Sequence, residues 1–115
     1  MRAYTVEELT GESAGRIAAA LNERGLAGPI EGIWFLPVPQ EFLDQEQRDH
    51  AEDCGPHVMA VELVERPTHT DVRMELLVRA RGRIRCSCIR YAPPALREHM
   101  IDHLDALIRE LDIPV

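Results

Sequence analysis

Three cysteines and five histidines carry most of the chemistry open to this chain. Cys54 and His57 are spaced C-x-x-H, and Cys86 and Cys88 are spaced C-x-C. Three thiolates and one imidazole make a donor set that suits zinc. The C-x-C spacing is less suited. On a regular strand it holds both sulfurs along one ridge, with the Cα atoms about 6.5–7 Å apart, which is also long for a disulfide. Cysteine is otherwise a small apolar residue that is commonly buried. The expectation is therefore a zinc or thiol-redox site built from Cys54, His57, Cys86 and Cys88, set against a plain structural role for the same residues.

His50, Asp53, Cys54 and His57 form the densest set of nucleophile and base types. A Cys/His pair can perform acyl chemistry. Here Cys54 falls at the expected C-terminal end of a helix, where the dipole raises a thiol pKa, and no glycine-rich turn into a helix supplies an oxyanion hole. His99 and His103 are four residues apart in "HMIDH", which lacks the glutamate of the H-E-x-x-H metalloprotease signature, and they read as surface histidines. No P-loop, G-x-G-x-x-G, G-x-S-x-G or C-x-x-C pattern occurs. No catalytic residue is assigned, and the pattern leans away from an enzyme.

The second chemical signature is basic. "RARGRIRCSC" (79–88) places four arginines beside two cysteines in a chain whose net charge is −7. The charge is uneven. Residues 1–54 hold eleven acids and four arginines, whereas 66–90 carries seven arginines against Asp71 and Glu75. The overall sign disfavours non-specific binding to nucleic acid or a membrane surface. A local anion-binding face is still allowed, since arginine can clamp a carboxylate or phosphate through its planar fork. Alternation sends Arg73, Arg79, Arg81, Arg83 and Arg85 to one side of a sheet, where Glu62 and Glu75 are available as cross-strand partners. Stacking aromatics, which single-strand nucleic-acid binders add, are missing from that side.

These residues must be positioned by ordinary elements. At 115 residues the chain suits one domain, 1–115, with 45% apolar and only 4% aromatic residues. It has no apolar run of membrane-span length and no secretory h-region. With an odd number of thiols, a reduced cytoplasmic chain is the expectation.

Thr5-Val6-Glu7-Glu8 reads as a capping box opening a helix, with Ala14, Ile17, Ala18 and Leu21 on its apolar face and Gly25 as its stop. Ile30 to Leu36 reads as a strand ended by Pro37 and Pro39. Asp44 with Gln47 caps a short polar helix closed by Gly55-Pro56. Residues 57–65 and 72–80 read as strands joined by a turn at Pro67 to Asp71, the second strand having Val72, Met74, Leu76, Val78 and Ala80 on its core face. A third strand is expected to follow an Arg81-Gly82-Arg83 loop, with Ile84, Cys86 and Cys88 inward and Ala80 opposite Ile84. Pro93-Pro94 opens a last helix striped by Leu96, Met100, Leu104, Leu107 and Leu111. Of the two aromatics Trp34 and Phe35, one must face the core and the other the opposite side.

The resulting fold class is α+β: a two-layer sandwich with a mainly antiparallel four-stranded sheet, order α-β-α-β-β-β-α, and helices packed on one face. The functional expectation is a small non-catalytic module that binds a protein partner, or itself as a homodimer, through an open arginine-rich sheet face. The zinc or thiol-redox site, and a polyanion or nucleic-acid binder, are the alternatives.

Overall fold

The computed structural model describes all residues, Met1 to Val115. It is an α+β sandwich with a largely antiparallel sheet and three helices, as the apolar periodicity requires. Strand β1 (Ala3–Leu9) leads into α1 (Gly11–Glu23). Next come β2 (Ile33–Pro37), a 3-10 turn at Gln40–Phe42, and the short helix α2 (Gln45–Asp49). The sheet is completed by β3 (His57–Glu65), β4 (Thr70–Glu75), β5 (Leu77–Ala80) and β6 (Arg90–Tyr91), and α3 (Pro94–Glu110) closes the chain.

The six strands stand in four rows. Val61 of β3 pairs with both Trp34 of β2 and Met74 of β4, and Val58 pairs with both Pro37 and Arg79 of β5. Strands β4 and β5 therefore continue one another along the same side of β3, interrupted at Leu76. On their far side β1 pairs with β4 and β6 with β5. The outer edge of β2 is covered by residues 26–28, through an Ala27–Trp34 bridge and the Phe35 N–H to Leu26 carbonyl bond. A covered edge offers no ladder to a second chain.

Two expectations fail at the sheet margin. Thr5 to Glu8 lies in β1 and not in a helix: Tyr4 and Val6 pair opposite Met74 and Val72, and packing on that row outweighs the local capping pattern. The helix starts later, at Thr10, whose hydroxyl accepts from the Ser13 N–H. The third meander strand over 84–88 does not form either. Its row beside β4 is taken by β1, and only Arg90 and Tyr91 pair with β5. Arg81 to Ile89 form a loop, and Ile84, expected in the core, is 90% exposed. Ala80 bridges to Arg83, not Ile84, so the turn is the two-residue Arg81-Gly82. A three-residue loop is needed only where a strand continues beyond it, since a two-residue turn would then carry Arg85 to the core face.

The core lies between the inward sheet face and the helices. Trp34, Leu36, Met59, Val61, Val72, Met74 and Val78 meet Ile17 and Leu21 of α1 and Leu96, Met100, Leu104 and Ile108 of α3 in one buried cluster. Trp34 keeps its polar edge satisfied by donating Nε1–H to Asn22 Oδ1 at 2.8 Å. Phe35 faces the other way. No helix packs over that outer face of the sheet, so Ile33, Phe35, Ala60 and Glu62 line a groove on it.

Candidate metal centre

The donors of the centre come from two segments. The first is the turn after α2. Asp44 caps that helix in a full capping box with Gln47, the Asp44 side chain accepting from the Gln47 N–H and the Gln47 side chain accepting from the Asp44 N–H. One further turn follows, in which the Cys54 N–H donates to the His50 carbonyl at 2.8 Å. That i, i+4 relation sets His50 and Cys54 one above the other. The second segment is the 81–89 loop, where the Ile89 N–H closes a turn on the Cys86 carbonyl at 3.1 Å. Off the sheet, Cys86 and Cys88 are free of the single ridge a strand would impose, and both sulfurs turn to the same point.

The two segments are laced together. The Gly82 N–H donates to the Cys54 carbonyl at 2.7 Å and the Arg81 N–H to the Pro56 carbonyl at 3.0 Å. Buried Gln47 donates Nε2–H to the Cys88 carbonyl at 3.0 Å, joining the helix cap to the thiol loop. At the surface Arg90 bridges Asp44 and Glu46, and the Ser87 hydroxyl donates to Glu46.

One donor atom from each of His50, Cys54, Cys86 and Cys88 lies within 4.8 Å of all the others. His50 Nδ1 is 3.1 Å from Cys86 Sγ and 3.7 Å from Cys54 Sγ, and Cys54 Sγ is 3.5 Å from Cys86 Sγ. Ligands about 2.3 Å (sulfur) and 2.0 Å (nitrogen) from a tetrahedral zinc stand roughly 3.5–3.8 Å apart. The group could thus hold a metal ion. All three cysteines are free thiols, with Cys54 and Cys88 buried.

The imidazole in this set is His50. His57, expected as the fourth donor from C-x-x-H, sits behind it: Nε2 is 3.5 Å from Cys88 Sγ, and Nδ1 is buried with no partner. His57 starts β3 and pairs with Ala80, so the sheet fixes its direction. Burial, with His50 nearby, pushes its pKa down, so the ring is neutral. With its proton on Nε2 the ring would donate to the Cys88 sulfur and steady that thiol as a ligand, as partners behind metal ligands do. The signal for His50 in the sequence was H-x-x-x-C, a helical spacing.

The thiols share charge unequally. Cys86 accepts from the Cys88 backbone N–H and from the Cys88 thiol, with His50 also in reach, and falls to about 6. Burial, with the Cys86 thiolate alongside, pushes Cys88 up to about 12 and raises Cys54. A bound divalent cation changes that balance, because a coordinating thiol is deprotonated outright.

The arginines divide. Arg73 pairs with Glu62 across the strands, and Arg79 pairs with Glu75 at 2.6 Å. Arg81, Arg83 and Arg85 are exposed on the loop and have no carboxylate partner. Arg81 lies over the Phe35 ring, 4.9 Å from its centroid. His99 and His103 are exposed on α3, with His99 packed against Phe42, and take no part in the centre. No helix is long and apolar enough to cross a membrane. No family model matches the chain, and comparison with curated proteins and with solved structures gives no match.

Proposed function

We propose that this chain is a small non-catalytic binding protein ordered by a structural zinc ion, with the open sheet face beside the metal as its working surface. The observation that carries the metal reading is the four-donor group His50, Cys54, Cys86 and Cys88. Four protein donors fill a tetrahedral shell and leave no position for substrate or reactive water, which is the pattern of structural zinc. The metal would tie the 81–89 loop to the turn after α2. A thiol-redox role would rest on the Cys54–Cys86 contact and the lowered pKa of Cys86. The zinc reading is preferred because it also accounts for His50 and Cys88, which stand within 4.8 Å of both other donors.

The non-catalytic reading is supported by the closed donor set: an ion held by all four residues would occupy both the half-buried Cys86 thiol and His50, the base 3.1 Å from it. Three free thiols in contact suit a reducing, cytoplasmic setting. Since Arg73 and Arg79 are neutralised within the sheet, Arg81, Arg83 and Arg85 are left to meet an anionic partner, and Arg81 and Arg83 border the groove on the outer face. Elemental analysis of protein purified without added metal tests the zinc reading, with about one zinc per chain expected. Less than about a tenth of an equivalent of zinc or iron, with a melting temperature indifferent to chelator, would falsify it.

A further inference from the structure

The outer sheet face is not a flat polar surface. It holds a groove of about 530 Å³, inside the roughly 300–1,000 Å³ range of small-ligand sites. The floor is apolar: Ile33 and Phe35 of β2, and Val58 and Ala60 of β3. Val58 is buried although it points to the outer face, so the floor is deepest there. Alternation on an open face calls for polar residues at these positions, and their replacement by apolar ones needs a cause. The rim adds a second observation. Of the five large hydrophobic residues exposed in the whole chain, Met1, Ile30 and Ile84 border this one groove.

The charges on the lining have a direction. Glu62 with Arg73 and Glu75 with Arg79 are closed ion pairs, which present no net charge. Arg81 and Arg83 carry the remaining side-chain charges of the lining, and both lack a carboxylate partner. They belong to the loop after β5, at the end of the groove next to Val58, because Val58 pairs with Arg79. Glu62 lies four residues further along β3, about 13 Å away. The groove is therefore cationic at one end and hydrocarbon-like along its length. Arg81 lies across the Phe35 ring, which brings its charge to the edge of the apolar floor.

We infer that this groove binds a small amphipathic carboxylate, a single anionic head on an unbranched hydrocarbon body, with the head at Arg81 and Arg83 and the tail over Phe35, Val58, Ala60 and Ile33. The complementarity is specific in sign. A neutral amphiphile leaves both guanidinium groups without a partner, and a cationic one is repelled. The inference rests on the outer sheet face being the working surface and does not require the metal, which serves only to hold the loop that carries the arginines.

The test is calorimetric titration of the purified protein with dodecanoate below its micelle concentration, beside dodecyltrimethylammonium, which has a closely similar tail and the opposite head. Zinc content is assayed in every sample and sedimentation velocity is run in parallel, so a failure of the metal reading is seen separately. Saturable 1:1 binding of dodecanoate and none of the cation is expected. Replacing both Arg81→Gln and Arg83→Gln weakens dodecanoate at least about tenfold, the scale of one lost charge-assisted hydrogen bond. Ala60→Phe, which fills the floor and removes no charge, abolishes binding and keeps the melting transition. No dodecanoate binding, equal binding of both heads, or full binding by Ala60→Phe would each overturn the inference. A dimer through this face that dodecanoate does not dissociate overturns it too, while leaving the outer face as the working surface. So does binding to phosphatidylglycerol vesicles that dodecanoate does not compete away.

Discussion

The Gly82 N–H donates to the Cys54 carbonyl at 2.7 Å, and a Cβ on Gly82 would lie 2.8 Å from that same oxygen. The contact is backbone against backbone, so no side chain can swing aside to relieve it. Gly55 is as tightly held, its Cβ position lying 2.4 Å from the Ala51 carbonyl oxygen. These two glycines let the pair His50–Cys54 and the pair Cys86–Cys88 approach. Gly82→Ala is expected to push the loop away from Cys54. The cost is about 1–3 kcal/mol, as for other overpacked sites, read as a lower melting temperature together with weaker zinc retention against a competing chelator.

The donor assignment separates His50 from His57. His50→Ala and Cys88→Ser each remove a donor and are expected to lose stoichiometric zinc. His57→Phe keeps a planar ring at the buried position and removes the polar contact to the Cys88 sulfur. Its zinc stoichiometry stays at one while affinity falls about 10–100-fold, the usual cost of an outer-shell partner. If His57→Phe lost the metal outright and His50→Ala kept it, the C-x-x-H set would be the true one.

Gln47 has a structural task apart from the metal. Its side chain accepts from the Asp44 N–H and donates to the Cys88 carbonyl, from a buried position. Gln47→Leu leaves that carbonyl without its partner and breaks the helix cap. A loss of about 1–3 kcal/mol by denaturant unfolding is expected, with zinc stoichiometry unchanged in the folded protein. Equal midpoints for the two proteins would remove Gln47 from this role.

Acid stability should report on Asp71. This nearly buried carboxylate accepts from the Glu8 backbone N–H at 3.1 Å and from Arg66 at 3.2 Å, with His69 also in contact, and its pKa is held below the usual range. A depressed carboxyl contributes stability that is complete above its unfolded pKa, about 3.9, and that is lost as pH falls through the folded value. Asp71→Asn is therefore expected to lower stability at neutral pH and to flatten its decline in acid. Parallel curves for the two proteins between neutrality and the acid limb would contradict this.

Alkaline stability should report on Tyr4. Burial, followed by its hydrogen bond to Asp105, raises its pKa from 10.0 to about 12. The folded state then holds a proton that the unfolded state releases, so stability falls as pH rises from 10 toward 12. Tyr4→Phe lacks that proton, and its stability should be less sensitive to pH across the same window in chemical denaturation.

Much of the scaffold was legible because it follows from period and capping. Val72, Met74, Leu76, Val78 and Ala80 alternate in the sequence and are all buried. Asp44 and Gln47 form the capping box their spacing suggests. The misreadings share a cause, which is competition for one row of the sheet. Nothing local in "TVEE" reveals that Tyr4 and Val6 will pair beside Met74 and Val72, and once β1 holds that row the segment after Ala80 has no neighbour there to extend along. The metal group was half legible. The three sulfurs could be named from residue type, and the helix expected up to Gly55 already put His50 one turn before Cys54; choosing it over His57 needed the position of the 81–89 loop, which no local pattern gives.

Cys54 and Cys86, thirty-two positions apart, enclose β3, β4 and β5 between them. An ion joining them closes a ring around the central hairpin. The ring gains most where the open chain has most freedom to lose. An ion held there would act as a cross-link across the central hairpin, restricting the open chain far more than the folded one.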